Sequence, residues 1–522
     1  MIAASDAWVA AHEQNVLPET FVEIAYGAVD AEAQIAATAT ATNEAVFSHA
    51  ENVTSISGIE QYATLEHNLW SLGGTRRVLS EDEPRIGGYT SQDDTGASIT
   101  LSFPAVMTQP VPGLTIVWSS EYDEYPTSFT VTAKNGDAVV ATATVADNTE
   151  VTSVVNLELV DYDSITITAA SWCVPEHRVR VDSITMGMGL TFTKKDIVSF
   201  THEQEGDLCS GALPKNSVTF ELDNTTGRWN PDNPQGIEKY LSERQEIKVR
   251  YGMRVGDGVE WLDAGTFYLS EWSTSPQGMT ATITARDVFE FLVNEPFQSG
   301  TTGTLFGLID TAYAAAHDKP GLTMIELNSN LLKYTATTDS GRTAAEIIQL
   351  CANAGGCVIR AGWGLSVNPL STRESGYTIE RKLTLAHPEI ALSKPLRSVA
   401  VSYGDSSAYT LDVAASGVTQ TVDNPLITTE AQAKMVAEKV RNALITRKTV
   451  SGEYRADPRL ELYDIVAVES KYGVLYPVAL TNITYTYTGS FWAKYTGHVL
   501  PTSESAYSST LGSFVLGRSA LG

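Results

Sequence analysis

Residues 223 to 236, DNTTGRWNPDNPQG, gather two Asp, three Asn, two Gly and two Pro around one Arg-Trp pair. Oxygen donors at this density raise calcium chemistry first. An EF-hand loop needs acids at alternate positions, a Gly, and a bidentate Glu six residues beyond that Gly. Here Thr225 and Gly227 interrupt the series after Asp223, and Asn233 stands where the Glu belongs. The expectation is therefore a structural turn. Asp and Asn accept backbone bonds in Asx turns, Gly227 can take a positive φ, and Pro231 and Pro234 block continuation of a strand or helix.

Other chemistry-bearing patterns are absent from the sequence. There is no G-x-S-x-G, no H-E-x-x-H and no P-loop; GMRVGDG has glycines without the Lys or the strand-to-helix setting that holds phosphate. The histidines at 12, 49, 67, 177, 202, 317, 387 and 498 include no pair at metal spacing. Cys173, Cys209, Cys351 and Cys357 match neither a disulfide framework nor a zinc signature, and are expected as free buried thiols. Glu121, Asp123 and Glu124 cluster in SSEYDEYPTS as a solvated loop rather than as a carboxylate pair across a cleft. Beside them stand Trp118, Tyr122 and Tyr125. Exposed, these aromatics would hold a sugar or a peptide; otherwise Trp118 belongs to a core and the tyrosines shield its rim. No catalytic, cofactor-binding or metal-ligating residue is assigned.

Whatever positions these residues must be built from several cores, since 522 residues suggest about three or four domains. With 43% hydrophobic and 19% charged residues the chain is expected to fold and to be soluble. A net charge of -27 argues against binding nucleic acid by phosphate neutralisation. MIAASDAWVAAHEQ lacks the basic and apolar regions of a secretory signal, and no run of about 18 apolar residues suggests a membrane-spanning segment. The expected site of synthesis is a cytoplasm.

Elements follow from periodicity. A first helix capped by Ser5 or Asp6 carries Trp8, Ala11 and His12 on one side and ends by Pro18, and ETFVEIAYGAV alternates as a strand. Residues 31 to about 85 show no clean period. ASITLSF, GLTIVWSS, SFTVTAK, AVVATATV, SVVNLELV, SITITAAS and RVRVDSITMG then read as successive strands of a β-sandwich or jelly roll. NSVTFELDN, QEIKVRYGM, EWLDAGTFYLSEW and GMTATITARD form a second β region, a small barrel or sheet. LFGLIDTAYAAAH and TAAEIIQLCANAGG are helices, the latter opened by a capping box from Thr343 to Glu346. TTEAQAKMVAEKVRNALI is the strongest helix, with Thr429 and Gln432 as capping box and Met435, Val436, Val440 and Leu444 as apolar stripe. TVSGEYR, YDIVAVES and TNITYTYTGSFWAKYTGHVL close a second small barrel.

The order of these units, and three stretches within them, resembles phage tail proteins of the baseplate-hub or tail-tip group. The stretches are HEQEGDLCSGALPKNSVTFELDNTTGRWNPDNPQGIEKYLSERQEIKVRYGM, EWLDAGTFYLSEWS and YRADPRLELYDIVAVES. The resemblance spans about residues 196 to 500 with the N-terminal helix and strand. It implies a mainly β fold with an α+β part. Residues 1–35 give the N-terminal helix and first strand of hub barrel 1, 196–295 the remainder of that barrel, 296–395 an α+β domain and 396–500 hub barrel 2 with a packed helix. Residues 36–195 are an inserted β-sandwich resembling carbohydrate-binding modules, and 501–522 a C-terminal tail. In the loop it implies Arg228 and Trp229 as packing residues. The implied function is structural rather than enzymatic, without cofactors: a homotrimeric ring at the tube end of the virion tail tip, assembled in the host cytoplasm. Its implied partners are the distal tail or tail-tube protein, the tape measure protein, and a receptor-binding or fibre protein. DNA would meet it only in transit through the lumen. Two other readings stand beside it: an adhesin that binds a host-surface glycan through residues 36–195, and a cell-wall hydrolase.

Overall fold

The computed structural model describes residues 1–14, 16–30, 33, 36–41, 62–63, 70–71, 89–90, 98–118, 123–174, 179–181, 183–233, 237, 240–241, 243–256, 258–314, 325–362, 364–370 and 375–501. Tyr122, Glu121, Pro234, the tail from 502 and most of residues 31 to 85 lie outside them. The protein is mainly β, with several sheets. It divides into two compact units, one of residues 1–25, 191–230 and 246–522, the other of residues 26–190 and 231–245.

Helix α1 (Asp6–His12) is capped by Ser5, whose hydroxyl accepts from the Trp8 N–H at 3.0 Å. It buries Trp8, Ala11 and His12 but stops at His12, well short of Pro18; Glu13 closes it by donating to the Val9 and Ala11 carbonyls. Strand β1 (Thr20–Val29) then alternates, burying Thr20, Val22, Ile24, Tyr26 and Ala28.

Within residues 26–190 run β2 (Thr38–Ala41), β3 (Ser98–Met107), β4 (Val111–Val117), β5 (Pro126–Asn135), β6 (Ala138–Ala146), β7 (Thr152–Leu159), β8 (Tyr162–Trp172) and β9 (Ser183–Thr185). They make a five-stranded sheet, β2-β3-β8-β5-β6, and a three-stranded sheet, β7-β4-β9. Ile99, Phe129 and Ile167 of the first share a core with Leu114, Val155 and Ile184 of the second. The opposite side of the five-stranded sheet carries hydroxyls in register: Thr166 pairs with both Thr100 and Thr132, and Thr132 with Thr142. RVRVDSITMG is not one strand. Val179–Arg180 pairs with Tyr89–Thr90, whereas β9 pairs with β4.

The other unit contains β10 (Ile197–Glu205), β11 (Lys215–Asp223), β12 (Glu246–Val255), β13 (Gly258–Thr274) and β14 (Thr280–Arg286). Helices α2 (Phe289–Leu292), α3 (Leu305–Ala314) and α4 (Ala344–Ala354) follow. Next come β15 (Glu389–Leu392), β16 (Leu396–Tyr403), β17 (Ser407–Asp412), β18 (Val418–Val422) and α5 (Glu430–Leu444). The described chain closes with β19 (Lys448–Arg455), β20 (Ile465–Glu469), β21 (Leu475–Tyr487) and β22 (Phe491–Val499). One hydrogen-bonded path runs β1-β12-β13-β14-β11-β10-β21-β22-β19-β15. Its two halves meet where β10 lies antiparallel to β21, from Phe200 opposite Tyr487 to Glu205 opposite Asn482.

The helices and β16 share a separate core in which Leu308, Ile309, Ile348, Val401 and Val436 are buried. Thr343 and Glu346 form the reciprocal capping box of α4. At α5 the box is modified. Thr429 still accepts from the Gln432 N–H, but the Gln432 carbonyl oxygen accepts from Thr428, and its amide donates to the Ala354 and Leu426 carbonyls. The stripe shifts accordingly: Gln432, Ala433, Val436, Ala437 and Val440 are buried, while Met435 and Leu444 are half-buried.

Candidate functional site

The amide-rich turn is organised by a side chain within it. Asn224 is 1% exposed. Its amide donates to Asn230 Oδ1 at 2.9 Å and to the Gly278 carbonyl at 2.8 Å, and its Oδ1 accepts from the Trp229 N–H at 2.9 Å. Gly227 sits at φ 68°, and Asp223 accepts from the Thr225 N–H as an Asx turn. Trp229 is buried against Phe192, with ring centroids 5.7 Å apart. Arg228 and Pro231 are exposed. Among the described residues no group of three or more His, Cys, Asp and Glu is placed to hold a metal ion.

The aromatic set near residue 118 is divided by burial. Trp118 is 1% exposed, its Nε1 donates to Ser153 Oγ at 2.9 Å, and its ring meets Phe129 and Trp172 edge-on at 5.1 and 6.1 Å. A ring so enclosed has no face on which a sugar can stack. Glu124 is buried too, accepting from Trp172 Nε1 at 3.0 Å, and Tyr125 is half-buried. Asp123 is exposed, with φ 56°.

Cysteines and histidines are equally engaged. Cys351 and Cys357 are buried, Cys173 and Cys209 half-buried, and all four are free. Burial pushes the Cys209 and Cys357 thiols up to about 12 and about 11, so neither is a ready nucleophile. His49, His67, His177 and His317 lie outside the described residues.

His202 is a structural centre that sequence reasoning missed. It lies on β10 at the meeting of the two halves. Asn216 on β11 donates its amide to the Ala361 carbonyl, which leaves its Oδ1 to accept from His202 Nε2 at 2.6 Å. Nδ1 then accepts from the Tyr251 hydroxyl on β12. Phe267 on β13 stands edge-on to the imidazole at 5.3 Å, and Tyr485 on β21 lies 6.1 Å away. Burial lowers the imidazole to about 4, so it is neutral at pH 7 and serves as a polar dowel in an aromatic core.

Around the stretch YRADPRLELYD the same unit ties its N-terminus down. Arg455 donates to the Gln14 carbonyl at 2.8 Å and to the His12 carbonyl, the C-terminal end of α1. His12 Nε2 lies 3.0 Å from the Ala456 carbonyl, and Arg459 holds Asp457 through two nitrogens, Nε at 2.9 Å and Nη2 at 2.6 Å. The Tyr485 hydroxyl donates to the Leu460 carbonyl at 2.8 Å. On the same buried side of α1, Trp8 and Ala11 pack with Met253 and Leu262. Thus α1 touches both halves of the sheet path. The sequence signal was available in Arg455-x-Asp457-x-Arg459, an acid flanked by two arginines, which in a buried turn requires pairing.

No family model and no curated protein matches the chain. Solved structures do. Among the structures it is similar to are tail proteins and a type VI secretion component. One is the tail protein of Neisseria meningitidis MC58, at 13% identity and TM-score 0.43, covering 60% of this chain and 94% of that one. Another is the prophage tail protein gp18 of Listeria monocytogenes EGD-e, at 13% identity and TM-score 0.41, covering 60% and 91%. An E. coli component of the type VI secretion system, described as structurally similar to the T4 bacteriophage tail proteins gp27 and gp5, matches at 11% identity and TM-score 0.37, covering 59% and 74%.

Proposed function

We propose that the chain is a structural subunit of the tip of a phage tail or tail-like particle. The observation that carries this reading is the single hydrogen-bonded path joining two sheet halves at β10 and β21, with α1 strapped across both. Each half is read as a small barrel, and three copies would present six barrels around a lumen. A net charge of -27 suits such a lumen, because an acidic wall does not retain passing DNA. The tube protein, tape measure and fibres are the partners of this reading, and it assigns no turnover to the chain. Antibody-labelled electron microscopy of particles from an induced lysate tests it. Label at one tail end is expected; protein free in the lysate and absent from particles would overturn the assignment.

A glycan-binding role for residues 36–195 would have to use another surface than Trp118. The register of Thr100, Thr166, Thr132 and Thr142 offers an uncharged hydroxyl face for it, and retention of the full chain on host envelope glycans is its test.

A further inference from the structure

Beside β18 lies a cleft of about 520 Å³, in the size range of ligand pockets. Its lining includes Val440 and Leu444 of α5, Thr421 and Val422 of β18, and His498 near the end of β22. Asp207 and Asp423, both exposed, line it as well, and among the described residues its lining contains no Lys or Arg. Among the described residues β18 pairs only with β16, in parallel, so its other edge is unpaired, and Gln420, Thr421 and Val422 line the cleft. An apolar floor, acidic rim and free strand edge together specify an extended peptide with adjacent apolar residues and a cation.

The chain contains such a segment. Residues 513–518 read SFVLGR, with Phe514, Val515 and Leu516 followed by Arg518, in a stretch otherwise dominated by Ser, Gly and Ala. The polypeptide leaves the described structure at residue 501, three residues after His498 in the cleft lining. Twelve residues lie between positions 501 and 514 and reach about 40 Å when extended, enough to turn back to the cleft. We propose that the C-terminal segment around Phe514–Arg518 docks in this cleft of its own chain, adding a strand to the free edge of β18. The apolar side chains cover Val422 and Leu444, both half-buried in the lining, and Arg518 meets the Asp207 and Asp423 carboxylates. This inference does not depend on the tail-tip reading.

The test uses the full-length chain carrying Phe514→p-benzoylphenylalanine, irradiated and digested for mass spectrometry. Expected are crosslinks within one chain, mapped to segments 420–424 and 440–444 and independent of protein concentration. Leu444→Glu, which places a charge in the apolar floor, is expected to cut their yield about tenfold. Asp423→Lys changes only an exposed rim residue and so keeps the fold; it is expected to cut the yield about threefold by reversing one charge contact. Excess synthetic peptide of residues 510–522 is expected to compete. Crosslinks elsewhere, crosslinks between chains, or yields unchanged in Asp423→Lys would each overturn the proposal.

Discussion

Asn224 organises the amide-rich turn through its side chain. It closes the turn by joining Asn230 Oδ1, the Gly278 carbonyl and the buried Trp229 N–H. Asn224→Ala is expected to lower unfolding stability by about 2–3 kcal/mol in urea titrations, with circular dichroism at 20 °C unchanged. Asp287 is a second residue with a measurable signature. Burial raises its carboxyl to about 7; Oδ1 accepts from the Phe289 N–H at 2.9 Å, while Oδ2 has no hydrogen-bond partner among the described residues. Because the folded state binds this proton more tightly than the unfolded chain, the contribution is destabilising above pH 7 and is relieved as pH falls from 7 toward 3.8. Denaturation at pH 8 and pH 6 is expected to show a gain on acidification in the natural chain that Asp287→Asn lacks. The sequence pointed to the turn through its Gly, Asn and Pro residues. It gave no sign that Asn224, rather than the flanking acids, held it, or that Asp287 was buried, because burial is decided by distant strands.

Among the elements, α1 is held at both ends by different means. Ser5 caps its start, and Arg455 takes up carbonyls at and beyond its finish. A seven-residue helix is too short to stand alone, so its order derives from these ties and from Trp8. Arg455→Ala is expected to speed amide exchange in residues 6–14 about tenfold or more, for a loss of about 1.5–3 kcal/mol in charge-assisted bonds, and to leave β5 and β8 unaffected. Local signals made several elements readable beforehand: the capping box at Thr343, the alternation of β5, the stripe of α5. Where a tertiary partner sets the boundary they misled. The helix ends at His12, whose carbonyl accepts from Arg455, well before Pro18, and Gln432 turns inward to bond the Ala354 carbonyl.

For the molecule as a whole, the joining of two sheet halves depended on pairing between residues nearly 300 positions apart, Phe200 with Tyr487. Nothing in either strand alone announces that partner, although both were legible as strands. The two halves were therefore expected as separate barrels, and their common path emerged only from the structure. Its consequence is mechanical. Paired strands loaded from opposite ends resist as a set of hydrogen bonds in shear, so pulling between residues 197 and 482 engages the rungs from Phe200–Tyr487 to Glu205–Asn482 together. In an optical trap the halves are expected to yield in one rip at a single force, whereas two independent modules would give two. A part built this way transmits a push from one half to the other without a hinge to absorb it.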